Sequence, residues 1–272
     1  MIELLFWPFM ATLVISSIHV YLGLHVVIRG VIFVDLALAQ MAAVGATVGF
    51  LLGLEPGSIP AYLTALAFTL LGAVLFTFTR DRKTGIPQEA IIGITYVVAA
   101  AVMVLLLSKA PGGGEHIKAL MVGSILFVTP KMVAATFMLF AAIGVILFLL
   151  RHKFLEVSKS YHDPEQMGRN RRWDFLFYLL FGLVVTSAVQ IVGILLVFSY
   201  LIVPAVAAML FYQTWRSRLV FGWLFSVVVS LLGMALSIWM DIPTGAAIVA
   251  TFGGLLVLCA AGRLVLGGGV AG

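Results

Sequence analysis

The chain has 272 residues, of which 63% are hydrophobic and only 10% charged, with a mean hydropathy of +1.19. A soluble domain of this length has nowhere to hide that much apolar surface, so composition excludes one and leaves a polytopic membrane protein. The net charge of +5 does not mark a nucleic-acid binder either, because the cations sit in short connections between apolar segments and form no basic domain.

Apolar runs follow one another near 4–28, 33–53, 59–79, 88–108, 130–150, 174–192, 193–212, 219–239 and 245–265. Each approaches the roughly 20 residues needed to cross a bilayer core. None alternates like the strands of a transmembrane barrel. The pattern predicts an all-α, polytopic transmembrane helical bundle of about 8–9 spans. Two places leave the count open. The stretch 117–129 is short and reads as re-entrant, and the sixth and seventh runs meet at Gln190–Gly193 with no charged residue between them. The first run, from Leu4 to about Ile28, is too long for a signal peptide and lacks a basic start, so it reads as a retained helix. The single cysteine, Cys259, lies in the last run and excludes an internal disulfide. With no visible repeat, residues 1–272 read as one transmembrane domain that ends in the glycine-rich tail Gly267–Gly272.

Orientation follows from lysine and arginine asymmetry. Connections at Arg29, Arg80–Lys83, Arg151–Arg172, Arg216–Arg218 and Arg263 share one side and hold thirteen cations, against Lys109, Lys118 and Lys131 on the other. The cation-rich side is the cytoplasm, which puts the N-terminus outside and the C-terminus inside. The longest connection, residues 151–174, carries six of the sixteen cations and faces inward. A long charged loop amid such apolar sequence points to a soluble partner.

Ionisable groups inside spans are costly and tend to be functional. Asp35 opens the second span, and Gln40 follows five residues later. That span is rich in small residues, with Gly45 and Gly49 as a small-xxx-small pair. Tight packing accounts for the pattern; so does a central helix that lines a path. His19 and His25, six residues apart, do not share a helical face, so they form no two-histidine ligand pair. Each reads more readily as a hydrogen-bonded packing residue. Gln88 and Glu89 follow Pro87 at the start of the fourth span, where Glu89 suits a helix N-terminus as well as a pathway. Asp241, in Asp241-Ile-Pro-Thr-Gly245, reads as a cap for the last span. No Gly-rich phosphate loop with Lys-Ser/Thr, no HExxH, no GxSxG and no cysteine cluster occurs, so neither an ATP site nor catalysis is expected in this chain.

Several segments, in order and spacing, resemble the membrane permeases of ABC-type metal uptake systems for zinc, manganese or iron. They are Gly23-Leu-His-Val-Val-Ile-Arg29 leading to Phe33-Val-Asp35, Ile92-Gly93, Leu105-Leu-Leu-Ser108, Leu120-Met-Val-Gly-Ser-Ile-Leu126, Asp163-Pro-Glu165, Gly193-Ile-Leu-Leu-Val197, Pro204-Ala205 and Pro243-Thr-Gly245. The likeness runs along nearly the whole chain. It implies a type II ABC importer permease in a bacterial-type cytoplasmic membrane, acting as a pair of permeases, most simply a homodimer. A cytoplasmic ATPase subunit would hydrolyse ATP, and an extracytoplasmic binding protein would deliver the ion. The transported divalent ion, zinc first, would be cargo rather than a resident cofactor. The loop at Asp163, Pro164, Glu165, Arg169 and Arg171 corresponds to the segment that docks on the ATPase, where charge-assisted contacts suit a soluble partner. Asp35, Gln40, Glu89 and His19 are the candidate path residues. The family commonly carries Asp-Ala-Leu-Ser-His where Asp35 begins; the His is missing here, and Gln40 stands one position out of register. Met167 and Arg171 replace the small residues usual after Asp-Pro-Glu, and Glu89 stands where Asp is common. Glutamine is a poorer zinc ligand than histidine, which keeps an iron chelate or other organic cargo open as the alternative. A secondary carrier is the more distant alternative, disfavoured because no inverted repeat is visible and the acids lie near span ends.

Overall fold

The computed structural model describes residues 2–80, 86–108, 110–123, 125–163 and 170–267, and among them it is entirely helical. In chain order the helices are α1 (Ile2–Arg29), α2 (Val34–Leu51), α3 (Ile59–Phe78), α4 (Gln88–Leu107), α5 (Gly113–Val122), α6 (Pro130–Leu149), α7 (Arg151–Lys159), α8 (Arg171–Phe211), α9 (Trp215–Met240) and α10 (Thr244–Gly267). Among the described residues, eight are long and apolar enough to cross a membrane. Local chemistry sets several starts. Ser58, Thr129 and Thr214 each accept a backbone N–H three residues on, at 3.3 Å, and Pro60 and Pro130 occupy first-turn positions that need no donor. Asp241 is not the cap of the last helix. It closes α9 in a left-handed conformation (φ 52°, ψ 47°), and Ser237 Oγ reaches forward to Thr244 Oγ1 at 2.7 Å.

One of the eight carries two crossings. α8 has 41 residues and would be about 60 Å long if straight, twice a bilayer core. Phe177, near its start, lies 5.9 Å from the His25 ring; Trp215, four residues past its end, lies 4.7 Å from the same ring. The helix must therefore turn back, and it does so at Gly193 (φ 78°, ψ 166°). The two arms, 171–192 and 194–211, are the sixth and seventh runs of the sequence. Their shared apex touches the end of α5: a Cβ on Gly193 would collide with the Gly123 and Val122 backbone. α5 is too short to cross, in keeping with the re-entrant reading of 117–129.

α2 sits at the centre, packed on α3, α4 and α8. Gly45 and Gly49 let α3 approach, where added methyls would strike Thr64. By contrast α4, α6, α9 and α10 present wide apolar faces, including Ile94, Leu105, Phe137, Leu224 and Leu258, as lipid-facing helices do.

Candidate functional site: a buried polar track and an ion network

α2 brings an unusual set of polar atoms into the core. Asp35, Gln40 and Thr47 are all fully buried, and both Asp35 oxygens, both Gln40 amide atoms and Thr47 Oγ1 have no hydrogen-bond partner among the described residues. Unpaired polar groups in an apolar interior cost several kcal/mol each, so a protein keeps them where something else is meant to meet them. Asp35 shares a row with Ala39, Ala42 and Ala46, whereas Gln40 lies about 140° around the helix, in line with Thr47. Asp35 and Gln40 therefore point different ways. Among the described residues no group of three His, Cys, Asp or Glu gathers tightly enough to hold a metal ion.

The remaining path candidates are placed variously. His19, on α1, bonds through Nδ1 to the Ile15 carbonyl at 2.8 Å and lies 6.0 Å from the Phe140 ring of α6. Because a carbonyl only accepts, Nδ1 carries the proton and Nε2, unpartnered, is the free lone pair. Glu89 reaches across to another helix: its Oε1 accepts the Phe33 N–H at 3.0 Å, at the start of α2. It caps the helix that carries Asp35, and its Oε2 is buried and unpartnered. No hydrogen bond joins His19, Asp35, Gln40 and Glu89 to one another among the described residues.

At the end of the bundle where α1 and α3 finish and α8 begins lies a charged cluster that sequence reasoning missed. Asp174, at the start of α8, binds Arg29 of α1 (Nη1 to Oδ1, 3.1 Å) and Arg80 just past α3, through its other oxygen. Arg29 is fully buried, Arg80 is 7% exposed and Asp174 1%. Arg29 also donates through Nε to Ser158 Oγ at 2.9 Å, the hydroxyl that His25 Nδ1 meets at 2.9 Å. Arg80 donates to the Tyr161 carbonyl and lies 3.7 Å over its ring. The Tyr161 hydroxyl bonds Gln88 at 2.7 Å and Tyr178 at 2.8 Å; burial, with the neighbouring Tyr178, pushes this phenol well above its usual value. The cluster thus clamps α7 and the turn after it to the ends of α1, α3, α4 and α8. A cleft of about 200 Å³ opens beside it, lined by Arg29, Arg80, Gln88, Glu89, Tyr161 and His162. Charge counting had read Arg29 and Arg80 as loop cations; only an acid at the start of the helix after the loop hinted at their partner.

Of the expected docking residues, Pro164, Glu165 and Arg169 lie outside the described residues. Asp163 closes the turn after α7, its N–H bonded to the Ser160 carbonyl at 3.0 Å. Arg171 opens α8, with its guanidinium 5.5 Å from the Phe78 ring.

Comparison with known proteins bears on this geometry. The profile of the ABC 3 transport family matches residues 1–262. The manganese import system permease protein ScaB of Streptococcus parasanguinis is 26% identical over 84% of this chain and 80% of its own. The chelated iron transport system membrane protein YfeC of Yersinia pestis is 26% identical over 92% of this chain and 86% of its own. Among solved structures, PsaBC from Streptococcus pneumoniae in complex with Fab superposes with a TM-score of 0.76 at 24% identity, covering 94% of this chain and 90% of that one. That likeness establishes the fold.

Proposed function

The chain belongs to the ABC 3 transport family, and on that footing we propose that it imports a divalent transition-metal ion, manganese or iron before zinc. It would act as the membrane permease of a bacterial cytoplasmic-membrane system, paired with a second permease copy. ATP would be hydrolysed by a separate ATPase subunit, and an extracytoplasmic binding protein would hand over the ion. The ranking of cargo rests on the relatives, named for manganese and for chelated iron. The observation that carries the reading is Asp35, a fully buried carboxylate with no partner for either oxygen. Such a group is completed by a cation that takes the place of its proton at that level in the membrane, and oxygen donors suit manganese better than they suit zinc. The ion would be held briefly and released, as sparse ligation requires. The ATPase would dock on the surface near Asp163 and Arg171, and the Arg29–Asp174–Arg80 cluster behind it would carry the resulting movement into α1, α3 and α8.

A second reading, a metal chelate as cargo, is favoured by Ala39 standing where the family commonly has histidine, and by the iron-chelate relative. The deciding experiment co-expresses the chain with the ATPase and binding protein encoded beside it and measures ATP-dependent uptake of manganese, iron and zinc into vesicles. Uptake of manganese or iron that falls at least about tenfold in Asp35→Ala supports the ion reading. ATP-dependent uptake of a chelate with no free-ion uptake selects the second reading, and no ATP-dependent uptake of either overturns both.

A further inference from the structure

Ten residues of α5 span about 15 Å, half a bilayer core. The helix packs on α8 and α4. Its one titratable side chain turned inward is His116. The imidazole lies parallel to the Phe50 ring, with centroids 4.6 Å apart and an interplanar angle of 18°. Its Nε2 is buried and has no hydrogen-bond partner among the described residues.

Phe50 is the outer end of a seam on α2. Gln40, Ala43, Thr47 and Phe50 are spaced three, four and three residues apart, so they share one side of the helix over about 15 Å. Below the Phe50–His116 stack, the polar members of that seam are Thr47 and Gln40, fully buried and unpartnered. Going inward along this side of α2, the stacked imidazole is thus followed by a hydroxyl and an amide, with only small Ala43 between the last two.

Stacking alone does not account for His116. A phenylalanine would stack on Phe50 as well, without a buried nitrogen that lacks a partner. Neutral imidazole binds divalent transition ions well, whereas hydroxyl and amide oxygens bind them weakly. That order catches an ion at the outside and loosens its hold further in.

We infer that His116 is the outermost ligand for the transported ion, passing it to Thr47 and Gln40 along this seam of α2. The inference rests on the metal-permease reading and adds an entrance to it.

The test is initial-rate uptake of manganese into vesicles holding the complete transporter, with zinc as competitor, in wild type and in His116→Ala, His116→Phe and Lys118→Ala. His116→Phe keeps a ring on Phe50 and removes only the nitrogens. Lys118, exposed on the same helix, is the control for disturbance of α5. Both His116 variants should raise the KM for manganese about tenfold with kcat retained, and weaken zinc inhibition by a larger factor, since imidazole favours zinc. Lys118→Ala should match wild type. A His116→Phe variant with wild-type KM and wild-type zinc inhibition would show that the ring only stacks, and so would a loss confined to kcat. If the wild-type complex moves no free ion at all, the permease reading fails first, and that outcome is separate from a wild-type-like His116→Phe.

Discussion

Asp174 is the residue that ties together the ends of α1, α3 and α8. Among the described residues it is the one carboxylate between two buried guanidiniums, so removing its charge takes that shared partner from both Arg29 and Arg80. Breaking a buried ion cluster on one side costs about 3–5 kcal/mol. Asp174→Asn should therefore lower the melting temperature of the detergent-solubilised protein and its yield in the membrane, followed by size exclusion after heating. Arg80→Lys should be costly too, because an ammonium cannot reach the carboxylate and the Tyr161 carbonyl together as the planar fork does; a melting curve equal to wild type would contradict that account. Very little of this was legible beforehand. Arg29 and Asp174 are 145 residues apart, and positive-inside counting treats a cation at a span end as solvated whether or not the fold buries it. Glu89 shows the same limit: an acid after proline reads as support for its own helix, while its carboxylate actually serves Phe33, 56 residues away. His25 was readable as a packing residue, and its bond to Ser158 fits that reading, but the partner lay beyond any local pattern.

At the scale of elements, two glycines decide the topology. Gly123 (φ 70°, ψ −173°) and Gly193 (φ 78°, ψ 166°) both occupy a region of backbone space that is essentially closed to residues with a Cβ. They also face each other so closely that a methyl on either would strike the other's backbone. Gly193→Ala should thus destabilise by about 1–3 kcal/mol from backbone strain alone, with the overlap added, and fall well below an exposed control such as Gly254→Ala in thermal melts. Span limits were read closely from apolar length, for example 88–108 against Gln88–Leu107 and 130–150 against Pro130–Leu149. Length and apolarity are local quantities, so the sequence carries them. α7 was read only as part of a charged loop, since nine residues with three apolar side chains give too little periodicity to declare a helix.

For the whole molecule, the fold-back of α8 fixes which side each later connection faces. Nine crossings place Gln213 on the same side as Ser160, whereas a single pass of α8 would put the two on opposite sides. In a Cys259→Ala background, single cysteines at positions 160 and 213 should resist an impermeant maleimide in intact cells and react after permeabilisation; reaction of position 213 in intact cells would overturn the fold-back. Assembly makes a further prediction. Asp163→Ala and Glu165→Ala should each leave membrane insertion intact and reduce co-purification of the ATPase subunit, and unchanged co-purification in both would remove the loop from the docking surface. The arm from Asp174 to Gly193 joins these themes. It covers 19 residues, about 28 Å, with the ion cluster at one end and the glycine contact with α5 at the other. It is therefore a seesaw plank: tilting it by 10° about its middle would swing its two ends about 2.5 Å in opposite directions. One stiff piece of chain could open the inner face as it shuts the outer, with no message relayed from side chain to side chain in between.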